Sequence, residues 1–376
     1  MPSDHAPTRP LPTGGGSGTR PLPVAHPDPA PAPGAGSPGR YAPLPPSVPV
    51  GAGTGQPVAP WGAAAGSSYP PVPQQPQPPQ QTQPAPVARP VPRVAPRVVA
   101  GLVAVVAAAL AWAVWRFFVD TYAGQMLERA AFDGAVNGQG RLWTVAEPVL
   151  DTVSVAFVVG GLGAAMAIAL VRRRWGLAVQ VAFLVVGANV TTQVVKHSLL
   201  GRENLIGGWT ADNSLPSGHT TVAGSVAGAL LLVVPRAARP MVAILGGAYT
   251  AATGVSTLVG QWHRPSDVVA AVLVVLAWGA LVCAFTPRSS LDPGAGGSPG
   301  SVVTAVLLVL GSAACAAVAL FALRSTPATW ATTPAQEATA YVGGAAGVAA
   351  VTAAAFAVLL LVRQATARPD GHPVRG

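Results

Sequence analysis

Apolar residues in this chain come in long blocks, without the polar interruptions that give a soluble helix its second face. The blocks fall at about 98–118, 152–171, 176–195, 219–235, 241–260, 266–285, 301–323 and 341–362. Each is close to the roughly 20 residues that carry an α-helix across the hydrocarbon of a bilayer. The pattern therefore predicts an all-α, polytopic transmembrane helix bundle with eight spans. The block from 241, rich in small and polar residues, is the weakest by hydropathy alone.

Residues 1–90 contain no such block. They are dominated by Pro, Gly, Ala, Ser and Gln, and PPVPQQPQPPQQTQP at 71–85 favours extended polyproline conformations with little to bury. A disordered cytoplasmic tail is predicted there, without a secretory signal peptide. A protein that reads proline-rich peptides is the partner class this tail suits.

Composition agrees with a membrane setting. Hydrophobic residues make up 51% of the chain and charged residues 9%, too few to coat a soluble surface. The net charge of +9 is not arranged as a basic stripe with interleaved aromatics, so no nucleic-acid partner is expected. The arginines instead sit beside alternate ends of the apolar blocks: Arg93 and Arg97, Arg172 to Arg174, Arg236 and Arg239, Arg288, then Arg363 and Arg368. The intervening segments carry Asp120, Glu128, Asp133, Glu147, Asp151, Glu203, Asp212 and Glu337. The asymmetry predicts a multi-pass protein of the plasma membrane with both termini cytoplasmic. Cys283 and Cys315 lie inside apolar blocks and read as small hydrophobes.

Lys196, Arg202 and Arg324 break the charge pattern by falling on the outer side. The first two lie near other polar residues at the outer ends of the third to sixth blocks: His197, then Pro216 to His219, then His263, Arg264 and Asp267. NSLPSGHTT at 213–221 reads as a loop entering a helix, with Pro216 tolerated in the first turn. The exposed backbone N–H groups at Ser217 and Gly218 form an anion site of the kind helix N-termini provide, and His219 reaches the same anion. The plainer alternative is an ordinary helix start with a capping serine. His263 and Asp267 are four residues apart, so Asp267 can hold one imidazole nitrogen and leave the other free to attack. Here the alternative is a surface histidine beside a helix-starting aspartate. Lys196 and Arg202 are candidates for holding phosphate oxygens. His197 suits an interfacial or packing position. The three outer histidines lack the spacing of a zinc motif, so no metal is expected.

These segments resemble the type 2 phosphatidic acid phosphatase superfamily, which includes vanadium haloperoxidases and glucose-6-phosphatase. The resemblance rests on KHSLLGRE at 196–203, PSGH at 216–219 and STLVGQWHRPSD at 256–267, where Ser256, His263 and Asp267 keep the family spacing. Two departures stand out. Thr257 occupies the position of a phosphate-contacting arginine, and Glu203 replaces a proline after Arg202. The resemblance implies a six-span core over 91–286; the apolar pattern adds a cytoplasmic linker at 287–300, two additional spans over 301–362 and a short cytoplasmic tail at 363–376. It implies a metal-free, cofactor-free phosphatase in which His263 attacks phosphorus and Asp267 orients it. His219 would protonate the leaving group, while Lys196, Arg202, Ser217 and Gly218 hold the phosphate oxygens. The expected substrate is an outer-leaflet lipid phosphate, such as phosphatidic acid, phosphatidylglycerol phosphate or polyprenyl diphosphate. A phosphotransferase using the same site, and a scaffold or transporter that binds lipid phosphate without turnover, are the alternatives.

Overall fold

The computed structural model describes residues 92–152, 155–207, 213–293 and 298–369. The proline-rich segment, Asp212, and the C-terminal residues from 370 lie outside the described residues. Ten α-helices are described: α1 Val94–Val114, α2 Tyr122–Gly134, α3 Val136–Thr152, α4 Val155–Val171, α5 Trp175–Val194, α6 Gly218–Val233, α7 Arg239–Val259, α8 Pro265–Ala284, α9 Pro299–Ser325 and α10 Pro334–Thr366. Among the described residues there is no strand, only an isolated bridge between Pro92 and Pro369. In lipid every backbone group must find its partner within its own segment, so apolar blocks of this length become helices. The chain is a multi-pass helical membrane protein.

Among the described residues six helices are long and apolar enough to cross a membrane: α1 with its terminal π-turn, α5, α7, α8, α9 and α10. The other two predicted spans are shorter. α4 has 17 residues and α6 has 16, about 24–26 Å of helix each. That is less than the ~30 Å of a hydrocarbon core.

Burial separates the centre from the edge. In its most apolar window α8 is 72% buried and α9 only 6%, which makes α9 a lipid-facing helix. α6 buries Ala223 to Ala229 along its length and lies at the centre with α8. α10 packs along α9 and also against α2, α7 and α8, so the last two helices are joined to the rest by an extensive contact.

One expectation is corrected. Residues 120–151, read only as a loop carrying acidic residues, form α2 and α3. Thr121 caps α2 by accepting the Gly124 N–H at 3.0 Å, and Met126, Ala130, Ala131 and Gly134 then recur at helical spacing on a buried side. A Cβ at Gly134 would stand 2.0 Å from the Glu337 carbonyl oxygen, so only glycine lets α2 approach α10 this closely.

At the end of the bundle where α1 begins and α10 finishes, arginines close the helices. Arg97 donates to the Ala284 carbonyl of α8 at 2.7 Å; Arg172 and Arg363 donate to Val233 and Leu232 of α6 at 2.7 and 3.1 Å. These are the carbonyls a helix C-terminus leaves without partners. Arg239 makes two parallel bonds to Asp292, both 2.8 Å, and a third to Gln364 at 2.6 Å.

Candidate active site

The opposite end gathers the polar residues. α5 finishes in a π-turn over Val195–Leu199, closed by the Leu200 N–H on the Val195 carbonyl at 3.1 Å, and this turn carries Lys196 and His197. Such turns recur at functional sites because they re-aim side chains at the end of a helix. Lys196 is half-buried and within electrostatic range of Asp267 and His219, whereas His197 is exposed. Asn213 donates to the carbonyls of Lys196 (2.9 Å) and Leu200 (2.5 Å), tying the π-turn to the loop that enters α6.

α6 begins at Gly218, with Ser217 as its cap. The Ser217 hydroxyl is fully buried and accepts from the Thr220 N–H at 3.4 Å and the Thr220 hydroxyl at 3.1 Å, which leaves its own hydrogen to donate. Its backbone N–H is taken by the Asp267 carbonyl at 2.9 Å. Gly218 is different: a Cβ there would meet nothing within 4 Å. Among the described residues no atom requires glycine at this position, and the space beside it is open.

α7 ends in a Schellman turn, with Gln261 N–H on Leu258 O and Trp262 N–H on Thr257 O, both at 3.0 Å. Gln261 takes a φ of 55° there, unusual for a residue with a side chain, and its amide donates to the Phe132 carbonyl of α2 at 2.8 Å. The turn reverses the chain and brings His263 beside His219. Their ring centroids are 6.4 Å apart, with planes inclined at 69°. Trp262 stands 5.6 Å from His219 and 6.0 Å from Trp143, forming an aromatic rim of the kind found at membrane–water boundaries.

Asp267, fully buried in the first turn of α8, organises the rest. One carboxylate oxygen receives His263 Nδ1 at 3.4 Å, the Ser214 hydroxyl at 2.5 Å and the Arg264 N–H at 2.9 Å. The other receives Arg202 Nη2 at 3.4 Å. A bond on Nδ1 leaves Nε2 of His263 as the free ring nitrogen.

Arg202 does not stand at an exposed rim. Its side chain is 3% exposed and pairs with Glu128 at 3.2 Å as well as with Asp267. Among the described residues its Nε and Nη1 have no protein partner, so two donors remain beside the site. Glu128 also accepts the Ser266 N–H at 3.0 Å. Burial pushes its carboxyl above the usual carboxylate range, and the Arg202 guanidinium acts against that shift. Thr257 is fully buried, with its hydroxyl on the Gly254 carbonyl at 2.6 Å. Arg264 reaches the Ser214 hydroxyl at 3.0 Å.

Glu128, Ser214, Trp143 and Trp262 were not singled out from the sequence. Thr121 before a helically spaced apolar set, Met126, Ala130 and Ala131, is the sequence signal that places Glu128 on a helix; nothing local indicates that this helix docks against Arg202.

Helical spans with two imidazoles and a buried carboxylate gathered at one end define a class: multi-pass membrane proteins with a polar site at the end of the bundle. Residues 103–290, half of the chain, match the family model of the PAP2 superfamily, and the chain belongs to that superfamily, whose chemistry is phosphatase action on phosphate esters. Curated proteins and solved structures yield no match.

Proposed function

We propose that the chain is a lipid phosphate phosphatase or diphosphatase that works through a phosphohistidine. The supporting observation is the His219–His263 pair, 6.4 Å between ring centroids, with Asp267 on the far nitrogen of His263. Nε2 of His263 attacks phosphorus while the phosphorus–oxygen ester bond breaks, and the leaving oxygen takes a proton from His219. His219 then removes a proton from water, whose oxygen displaces His263 and releases inorganic phosphate. Lys196, the two spare Arg202 donors, the Ser217 hydroxyl and the backbone at Gly218 hold the charge that develops on the phosphoryl oxygens.

The site belongs on the extracytoplasmic face of the plasma membrane, with both termini cytoplasmic, as the arginine distribution favours. A lipid headgroup in the outer leaflet meets it without leaving the bilayer. The proline-rich tail remains available to a peptide-reading partner.

The test is phosphate release by the purified full-length protein from phosphatidic acid, phosphatidylglycerol phosphate and polyprenyl diphosphate. Turnover of at least one supports the reading. Saturable binding of all three without phosphate release would replace it with the binding scaffold, for which the loss of an arginine at Thr257 is the specific argument.

Gly218→Ala separates the site from the fold. Alanine suits a helix better than glycine, so thermal stability is expected to stay within about 1 kcal/mol of the wild type. The added methyl enters the space reserved for the anion, and phosphate release is expected to fall roughly 10²-fold. Equal activity in this variant would mean that the anion binds elsewhere.

A further inference from the structure

Behind the Arg202–Glu128 pair lies a cavity of about 210 Å³, between α1, α2, α8 and the C-terminal helices α9 and α10. An apolar void of ~150 Å³ is enough to take up benzene. The lining is apolar except at Glu128, Ser266 and Thr326, and neither His219, His263 nor Lys196 belongs to it. α9 and α10 are closest at Gly343, where a Cβ would fall 2.1 Å from that of Ala322; at Gly347 a Cβ would stand 3.7 Å from that of Ala319, an ordinary contact.

Two hydroxyls mark the cavity as built for a ligand with a polar end. Ser266 is 3% exposed and faces the Glu128 carboxylate, whereas Thr326 is 5% exposed and its hydroxyl has no hydrogen-bond partner among the described residues. Buried polar groups are rarely left in this condition. Both stand at the end of the bundle that holds the histidines, Ser266 at the start of α8 and Thr326 after the end of α9. From there the lining descends α10 from Ala340 to Val351, about 16 Å of helix. One leaflet contributes about 15 Å of hydrocarbon.

We propose that this cavity holds one hydrocarbon chain of a bilayer lipid distinct from the substrate, with an ester or hydroxyl oxygen of that lipid accepting from Ser266 and Thr326. The depth of one leaflet, the polar end at headgroup level and the separation from the histidines select that occupant. A chain seated there packs against Glu128 and so supports the Arg202–Asp267 arrangement from behind.

The test is native mass spectrometry of the full-length protein, delipidated in detergent and titrated with dioleoyl phosphatidylglycerol. The wild type is expected to retain one lipid. Ala319→Phe and Gly347→Leu, which fill the void, are expected to lower its apparent affinity roughly tenfold, and the Ser266→Ala/Thr326→Val pair severalfold. Thermal unfolding checks that each variant is folded; should the filling variants fail, the hydroxyl pair decides alone. Equal retention in every folded variant overturns the proposal. So does lost retention accompanied by a shift in turnover from dioleoyl to dioctanoyl phosphatidic acid, which would assign the cavity to the substrate's own chain. Retention is read by mass and not by turnover, so it stands or falls separately from the phosphatase reading.

Discussion

His263→Ala is expected to lower phosphate release by about 10³-fold or more, with little change in thermal stability. In the proposed mechanism the imidazole is the attacking group, because Asp267 occupies its Nδ1 and leaves Nε2 free, with the His219 ring 6.4 Å away. Loss of the ring removes one acceptor contact from Asp267 but leaves those from Ser214, Arg264 and Arg202, so the carboxylate remains paired. His219→Ala should behave differently. In the proposed mechanism it removes the acid and base but not the nucleophile, and a loss of about 10²–10⁴-fold is the usual size of that contribution. With a substrate whose leaving group needs no protonation, His219→Ala should accumulate labelled phosphoenzyme in a rapid-quench experiment, and His263→Ala should form none. Labelled protein in the His263 variant would move the nucleophile to another residue.

Glu128→Ala is expected to destabilise the protein by about 3–5 kcal/mol, because it leaves the buried Arg202 charge with one partner and an empty space. Glu128 is 2% exposed and holds both Arg202 and the Ser266 N–H, so its removal loosens α2, the Arg202 loop and the start of α8 together. Glu128→Gln keeps an acceptor for the Ser266 N–H and should cost less, about 1–3 kcal/mol. Folded Glu128→Gln protein should nonetheless lose phosphate release, since a neutral partner lets Arg202 draw closer to Asp267 and turn its remaining donors. Thermal unfolding and initial rates on the same preparations test both parts. A Glu128→Gln variant with wild-type rates would reduce Glu128 to a packing residue.

The site was legible in the sequence where its chemistry is local. The helix start at Gly218 with Ser217 as its cap, the plainer alternative, and Asp267 four residues from His263 follow from neighbouring residues, whereas the Ser217 N–H, expected to be exposed, is taken by the distant Asp267 carbonyl. Glu128 was not legible. It lies 74 residues from Arg202 and 138 from Ser266, on a helix too short and too polar to stand out among apolar blocks. The same distance hid the setting of Arg202, which the sequence placed against phosphate and the fold places between two carboxylates, with two donors left over.

By itself the sequence determined that the chain is helical, that it crosses a membrane, and roughly where the helices flanking the histidines begin and end. Those features depend on runs of apolar residues and on caps within a turn, because lipid obliges each segment to satisfy its own backbone. Only the tertiary structure decided which helix ends meet, that α2 folds at all, and that α10 closes against α2 and α8 to leave a cavity behind the site. Those outcomes depend on pairing charges and fitting side chains between distant segments, and such contacts have an energy only once the helices are packed.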